Sequence, residues 1–85
     1  MIKAKIELLL KEAFKPSFLE VIDESYKHVG HAGASQGGHF HVAISSSSFD
    51  GKKLLETHRM IYKSLESIKP SIHALAIKVI QSSGR

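Results

Sequence analysis

Residues 39–79, HFHVAISSSSFDGKKLLETHRMIYKSLESIKPSIHALAIKV, carry two strand patterns flanking a helix pattern. Phe40, Val42 and Ile44 alternate with His39, His41, Ala43 and Ser45, the period of a strand with one apolar face and one polar, histidine-bearing face. Asp50 suits an N-cap, and Phe49 before it stands ready to staple onto Leu54. The helix stripe then runs Leu54, Leu55, His58, Ile61, Tyr62, Leu65 and Ile68 until Pro70 closes it. From Ile72 to Ile80 the period returns to two, with Leu75, Ile77 and Val79 on one face, Ala74, Ala76 and Lys78 on the other, and His73 expected on the side of Leu75. A helix joining two strands of one sheet is a right-handed crossover, which makes those strands parallel.

Working outward, Ile2, Ile6, Leu9, Leu10, Ala13 and Phe14 form a 3.6-period stripe, so residues 2–14 are expected to be an amphipathic helix that Pro16 stops by forcing Lys15 out of the helical region. Phe18 to Tyr26 is β-prone and reads as the first strand. Lys27 to Gly38 holds four of the six glycines and no apolar period, which reads as a long loop, and Ser45 to Ser48 reads as a solvated strand end. The expected fold is α+β in the order α-β-β-α-β, a three-stranded mixed sheet with helices on one face, as a single domain over residues 1–85.

The 85 residues bound what such a domain can do, because a chain this short builds one small core and no deep catalytic cleft. The absence of cysteine removes disulfides, thiolate zinc sites and thiol catalysis. No apolar run reaches the ~18 residues that cross a bilayer, so a cytoplasmic protein without membrane contact is expected. Twelve Lys and Arg against eight Asp and Glu give +4, and protonation of all six histidines would take this toward +10.

Three local patterns invite catalytic or phosphate-binding readings. Gly33-Ala34-Ser35-Gln36-Gly37, followed by Asp50 and His58, matches a nucleophile elbow in letters, but that motif needs a strand-to-helix turn in a large α/β sheet. Gly30-His31-Ala32-Gly33 matches a KH-type phosphate clamp, which lies between helices rather than strands. Both read better as a glycine-rich connector. Lys52 and Lys53 fall in the expected first turn of the second helix, where the dipole disfavours cations, and Lys52, Arg59 and Lys63 share a face that Glu56 interrupts. Among the histidines, His58 sits in the apolar stripe and is expected to be packed and hydrogen-bonded. His39 and His41 project from one strand as a chelating pair would, although exposed strand histidines usually bind nothing.

The run Phe49-x-Gly51-x-x-Leu54-Leu55-x-x-His58-Arg59-Met60-Ile61-Tyr62, with Ile72-His73-Ala74-Leu75 after a proline, resembles the BolA family. Ser25-Tyr26-Lys27-His28 leading into the glycine-rich loop, and His39-Phe40-x-Val42 after it, extend the resemblance over nearly the whole chain. The resemblance implies a class II KH-like fold and a non-enzymatic partner protein that pairs with a monothiol glutaredoxin and shares a [2Fe-2S] cluster. Some members act instead as DNA-binding regulators of stress response and morphology. Carried over, His73 is the implied cluster ligand, and either His28 or His31 in the loop is the second. The DNA-binding alternative would use Lys52, Lys53, Arg59 and Lys63 on the helix from Gly51 to Ser67, although Thr57 stands where many relatives carry arginine. A chain without thiols can supply only a minority of four cluster ligands, so partner cysteine and glutathione must complete the set. Alone, the chain is expected to hold no cofactor and to be a monomer or weak homodimer.

Overall fold

The computed structural model describes residues 1–25 and 38–80. The first helix, α1, spans Ile2–Phe14 as its stripe requires, with Ile6, Leu10 and Phe14 buried. Lys15 ends it in the left-handed region at φ 44°, its N–H donating to the Lys11 carbonyl at 3.0 Å, because Pro16 disfavours a further helical residue. Two strands follow, β1 (Phe18–Asp23) and β2 (Gly38–Ser45), paired antiparallel, with Val21 opposite Val42. β1 is shorter than expected: Asp23 Oδ1 accepts the N–H of Ser25 at 2.9 Å, a turn that ends the ladder. These Ser25 hydrogen bonds hold the Asp23 carboxyl below the ordinary aspartate range.

The serine run is only partly a solvated end, with Ser47 exposed. Ser45 and Ser46 are buried, and Ser46 Oγ donates to the Phe14 carbonyl at 2.6 Å, tying the open end of α1 to the sheet. Ser46 Oγ also accepts the Ser48 N–H at 3.0 Å, which starts a short 3₁₀ turn, Ser47–Phe49. Phe49 packs on Phe14 with ring centroids 4.9 Å apart.

The second helix, α2, spans Leu54–Ser64, starting later and ending earlier than the sequence pattern suggests. Asp50 is not its cap. The chain turns first through Gly51, whose φ of 74° suits a residue without a Cβ, and Lys53 becomes the N-cap, its N–H donating to Glu56 Oε1 at 3.1 Å. Lys52 and Lys53 therefore precede the first turn. Thr57, Ile61 and Leu65 face the core, while Leu54 and Leu55 in the first turn are about 60% exposed, and with Lys53 as the N-cap Phe49 no longer holds the staple position before it. A second 3₁₀ segment, Glu66–Ser71, contains Pro70 and delivers the chain to β3 (Ile72–Val79).

Strand order is β1-β2-β3, with β2 and β3 parallel as the crossover demands. The inner face is a grid of aligned rows: Leu19, Ile44 and Val79; Val21, Val42 and Ile77; then Phe40 with Leu75. Ile6, Leu10 and Phe14 from α1 and Ile61 and Leu65 from the α2 end cover this face, which places both helices on one side. Burying each such aliphatic side chain contributes about 1.5–3 kcal/mol.

Candidate functional site

The start of β3 is irregular. Gly38 pairs with Ile72 but His39 pairs with Ala74, leaving His73 as an extra residue. Alternation therefore breaks: Ile72 and Leu75 are both half-buried against the core, and His73 and Ala74 are both exposed. This corrects the expectation that His73 shares the side of Leu75, and it brings the His73 ring to the His39 ring, with centroids 4.9 Å apart and planes inclined at 45°.

The backbone of His39 is held from the end of β1. Its N–H donates to Ser25 Oγ at 3.0 Å, and its carbonyl accepts the Glu24 N–H at 2.7 Å. Gly38 beside it has no room for a side chain, since a Cβ would lie 2.5 Å from the Phe40 ring. His41 follows on the same strand, half-buried, with Nδ1 buried and without a hydrogen-bond partner among the described residues. The ring contact of His39 thus runs across the strands to His73.

On the other flank of His73 lies a concavity of about 320 Å³, lined by Tyr62, Leu65, Lys69, Ile72, His73, Ala74 and Leu75. Tyr62 reaches over it, its hydroxyl donating to the Leu75 carbonyl at 3.3 Å, although half of the residue remains exposed. Leu55, two helical turns before Tyr62, continues this apolar surface along α2. The sequence stripe had assigned Leu54, Leu55 and Tyr62 to the interior, whereas their exposure builds an accessible apolar face beside His73.

Lys52, Lys53, Arg59 and Lys63 are all exposed and without an ion-pair partner among the described residues. Arg59 and Lys63 share one face of α2, but Lys52 lies before the helix and not on that face. Thr57 is 2% exposed and its hydroxyl donates to the Leu54 carbonyl at 2.7 Å, so this position lies inside and takes no part in the basic surface. His58 is half-buried, with Nε2 buried and without a hydrogen-bond partner among the described residues, so it is packed as expected but the expected hydrogen bond is not among those described. His28 and His31, and the two glycine motifs, lie outside the described residues.

A family model described as BolA-like protein matches residues 10–83. The chain belongs to the BolA family. It is 47% identical over 78 residues to the DNA-binding transcriptional regulator BolA of Escherichia coli (strain K12), covering 91% of this chain and 72% of that protein. To Protein BOLA2 of Arabidopsis thaliana it is 44% identical over 80 residues, covering 94% and 77%. Among solved structures, the BolA domain of SufE1 from Arabidopsis thaliana matches with a TM-score of 0.82 at 36% identity, covering 99% of this chain and 95% of that one. BolA1 from the same plant matches with a TM-score of 0.81 at 32% identity, over 98% and 94%. The BolA fold is thus the α-β-β-α-β sheet expected from the sequence. The cross-strand contact of His39 and the outward Leu55–Tyr62 face of this BolA chain escaped sequence reasoning. Parallel pairing of the two strand starts was the available signal for the first; nothing in the apolar period signalled the second.

Proposed function

We propose that the chain is a non-enzymatic adaptor that docks a monothiol glutaredoxin and supplies His73 as an imidazole ligand to a shared [2Fe-2S] cluster, in iron-sulfur handling or iron and redox regulation. The observation that carries this reading is the placement of His73. A bulge holds its ring in the open, at the edge of an apolar face formed by Leu55, Tyr62 and the concavity beneath it. An exposed imidazole on a rigid strand, next to surface that a partner can bury, suits a ligand contributed across an interface. His73 fits by its donor chemistry, and His28 or His31 would be the second imidazole. The cluster would supply electron storage or transferable iron and sulfide, and a chain with no cysteine leaves the thiolates to the partner and glutathione.

The test titrates this chain into cluster-loaded monothiol glutaredoxin, followed by visible circular dichroism. The wild-type chain should change the cluster spectrum, and His73→Ala should abolish or alter that change while its far-ultraviolet spectrum stays wild-type. An unchanged response in His73→Ala would remove His73 from the ligand set.

A second reading is favoured by the four exposed cations without ion-pair partners, Lys52, Lys53, Arg59 and Lys63. They suit phosphate contact, and a DNA-binding regulator would use them. Its affinity would fall with salt by about 0.9 log unit per log unit of salt for each phosphate neutralised.

A further inference from the structure

We propose that the face of the sheet turned away from the helices is a self-association surface, on which a second copy of this chain packs about a two-fold axis running along β2. Both α1 and α2 lie on the other face. The outward side chains form rows across the three strands: Ile22, His41 and Ala76, then Glu20, Ala43 and Lys78, with Phe18 and Ser45 beyond. Phe18, at 47%, and Ile22, at 39%, are large apolar groups in the open, and Glu20, Ala76 and Lys78 are exposed beside them. Ala43 is the floor between Glu20 and Lys78, and neither charge has an ion-pair partner among the described residues.

Charge and volume both make this face complementary to itself. An axis along β2 exchanges the β1 side with the β3 side. When two such sheets stack about 10 Å apart, Glu20 of each copy stands over Lys78 of the other, while His41 and Ala43 meet their own copies. The large residues lie on β1 and small ones on β3, so the same exchange sets Ile22 over Ala76 and Phe18 over the end of β3, large against small. An axis across the strands would instead put Glu20 on Glu20, Lys78 on Lys78 and Ile22 on Phe18. Only the first arrangement satisfies both, and it is isologous, each patch contacting its own copy. The ion pairs fix the register, and the apolar groups supply the attraction.

Size sets the strength. Three strands about 4.8 Å apart and about 20 Å long offer far less than the roughly 800 Å² per partner of a standard interface. The dimer is therefore weak and depends on concentration. It uses neither Leu55 nor Tyr62, so it does not rest on the adaptor reading.

The experiment is sedimentation equilibrium of the full chain from micromolar to millimolar concentration. Wild type should pass from the mass of one chain to that of two. Glu20→Lys and Lys78→Glu should each weaken dimerisation by about tenfold or more, a change of roughly 1.4 kcal/mol, with far-ultraviolet spectra unchanged. One substitution raises the net charge and the other lowers it, so loss in both cannot come from net charge. An equimolar mixture of the two variants should restore the dimer, because the axis then pairs Lys with Glu on both sides. Ala76→Arg, which sets bulk under the other copy's Ile22, should also abolish it and carries the test should a charge variant fail to fold. Tyr62→Ser should leave dimerisation intact. A wild-type chain that stays monomeric throughout, a dimer that persists in the folded variants, a mixture that stays monomeric, or loss in Tyr62→Ser would each overturn the proposal. In the glutaredoxin titration Glu20→Lys should keep the cluster response, so failure of this inference and failure of the adaptor reading are distinguishable.

Discussion

The Nε2 atom of His58 is buried without a hydrogen-bond partner among the described residues, and that single atom changes what the residue contributes. A buried polar atom left unpaired costs about 1–3 kcal/mol relative to one that is satisfied. His58 therefore fills space on α2 at an electrostatic penalty, and a side chain of similar volume without the nitrogens should fit better. His58→Leu is expected to raise stability by about 1 kcal/mol, read as a higher urea midpoint at unchanged slope. A lowered midpoint would mean that the ring makes a stabilising polar contact in solution. The sequence placed His58 correctly on the helix, but a periodic pattern cannot say whether a buried nitrogen finds a partner.

At the scale of elements, the decisive event is where α2 begins. Asp50 has the right side chain for a cap, yet the Gly51 turn moves the start to Leu54, and Glu56 takes over the capping by accepting the Lys53 N–H. Glu56 also places an acid in the first turn, where the helix dipole favours it. Glu56→Ala should therefore cost about 0.5–1.5 kcal/mol, more than an ordinary surface substitution. Equilibrium denaturation measures this, and an effect within ±0.5 kcal/mol would show that the cap contributes nothing. Leu55 and Tyr62, on one side of α2, stay exposed beside His73, and Leu54 is exposed at the first helical position.

For the whole molecule, α2 borders both candidate surfaces. Arg59 and Lys63 belong to the helix whose Tyr62 lines the concavity next to His73. A partner docked there, burying about 800 Å² as standard interfaces do, would also cover the neighbouring cations. If the chain binds both glutaredoxin and DNA, the two should compete by simple exclusion. A DNA anisotropy titration at fixed low salt, with cluster-loaded glutaredoxin added, should show the DNA released. A stable ternary complex with undiminished DNA affinity would rule the competition out.

The order of elements, the span of α1 and the parallel pairing of the last two strands were legible from the chain alone. Periods of 3.6 and 2 in Ile2–Phe14, Phe40–Ile44 and Leu75–Val79 are local properties, and a helical crossover permits one outcome. His73 was legible as a candidate because motifs are also local. What required the tertiary structure was every relation between distant residues. The bulge that turns His73 toward His39 exists because two strands meet out of step by one residue. The burial of Ser46 depends on a carbonyl of Phe14 brought to it by the packing of α1, and α2 starts at Leu54 only after the turn through Gly51. Sequence periodicity tells which side chains share a face; only packing decides which way that face points and what it meets.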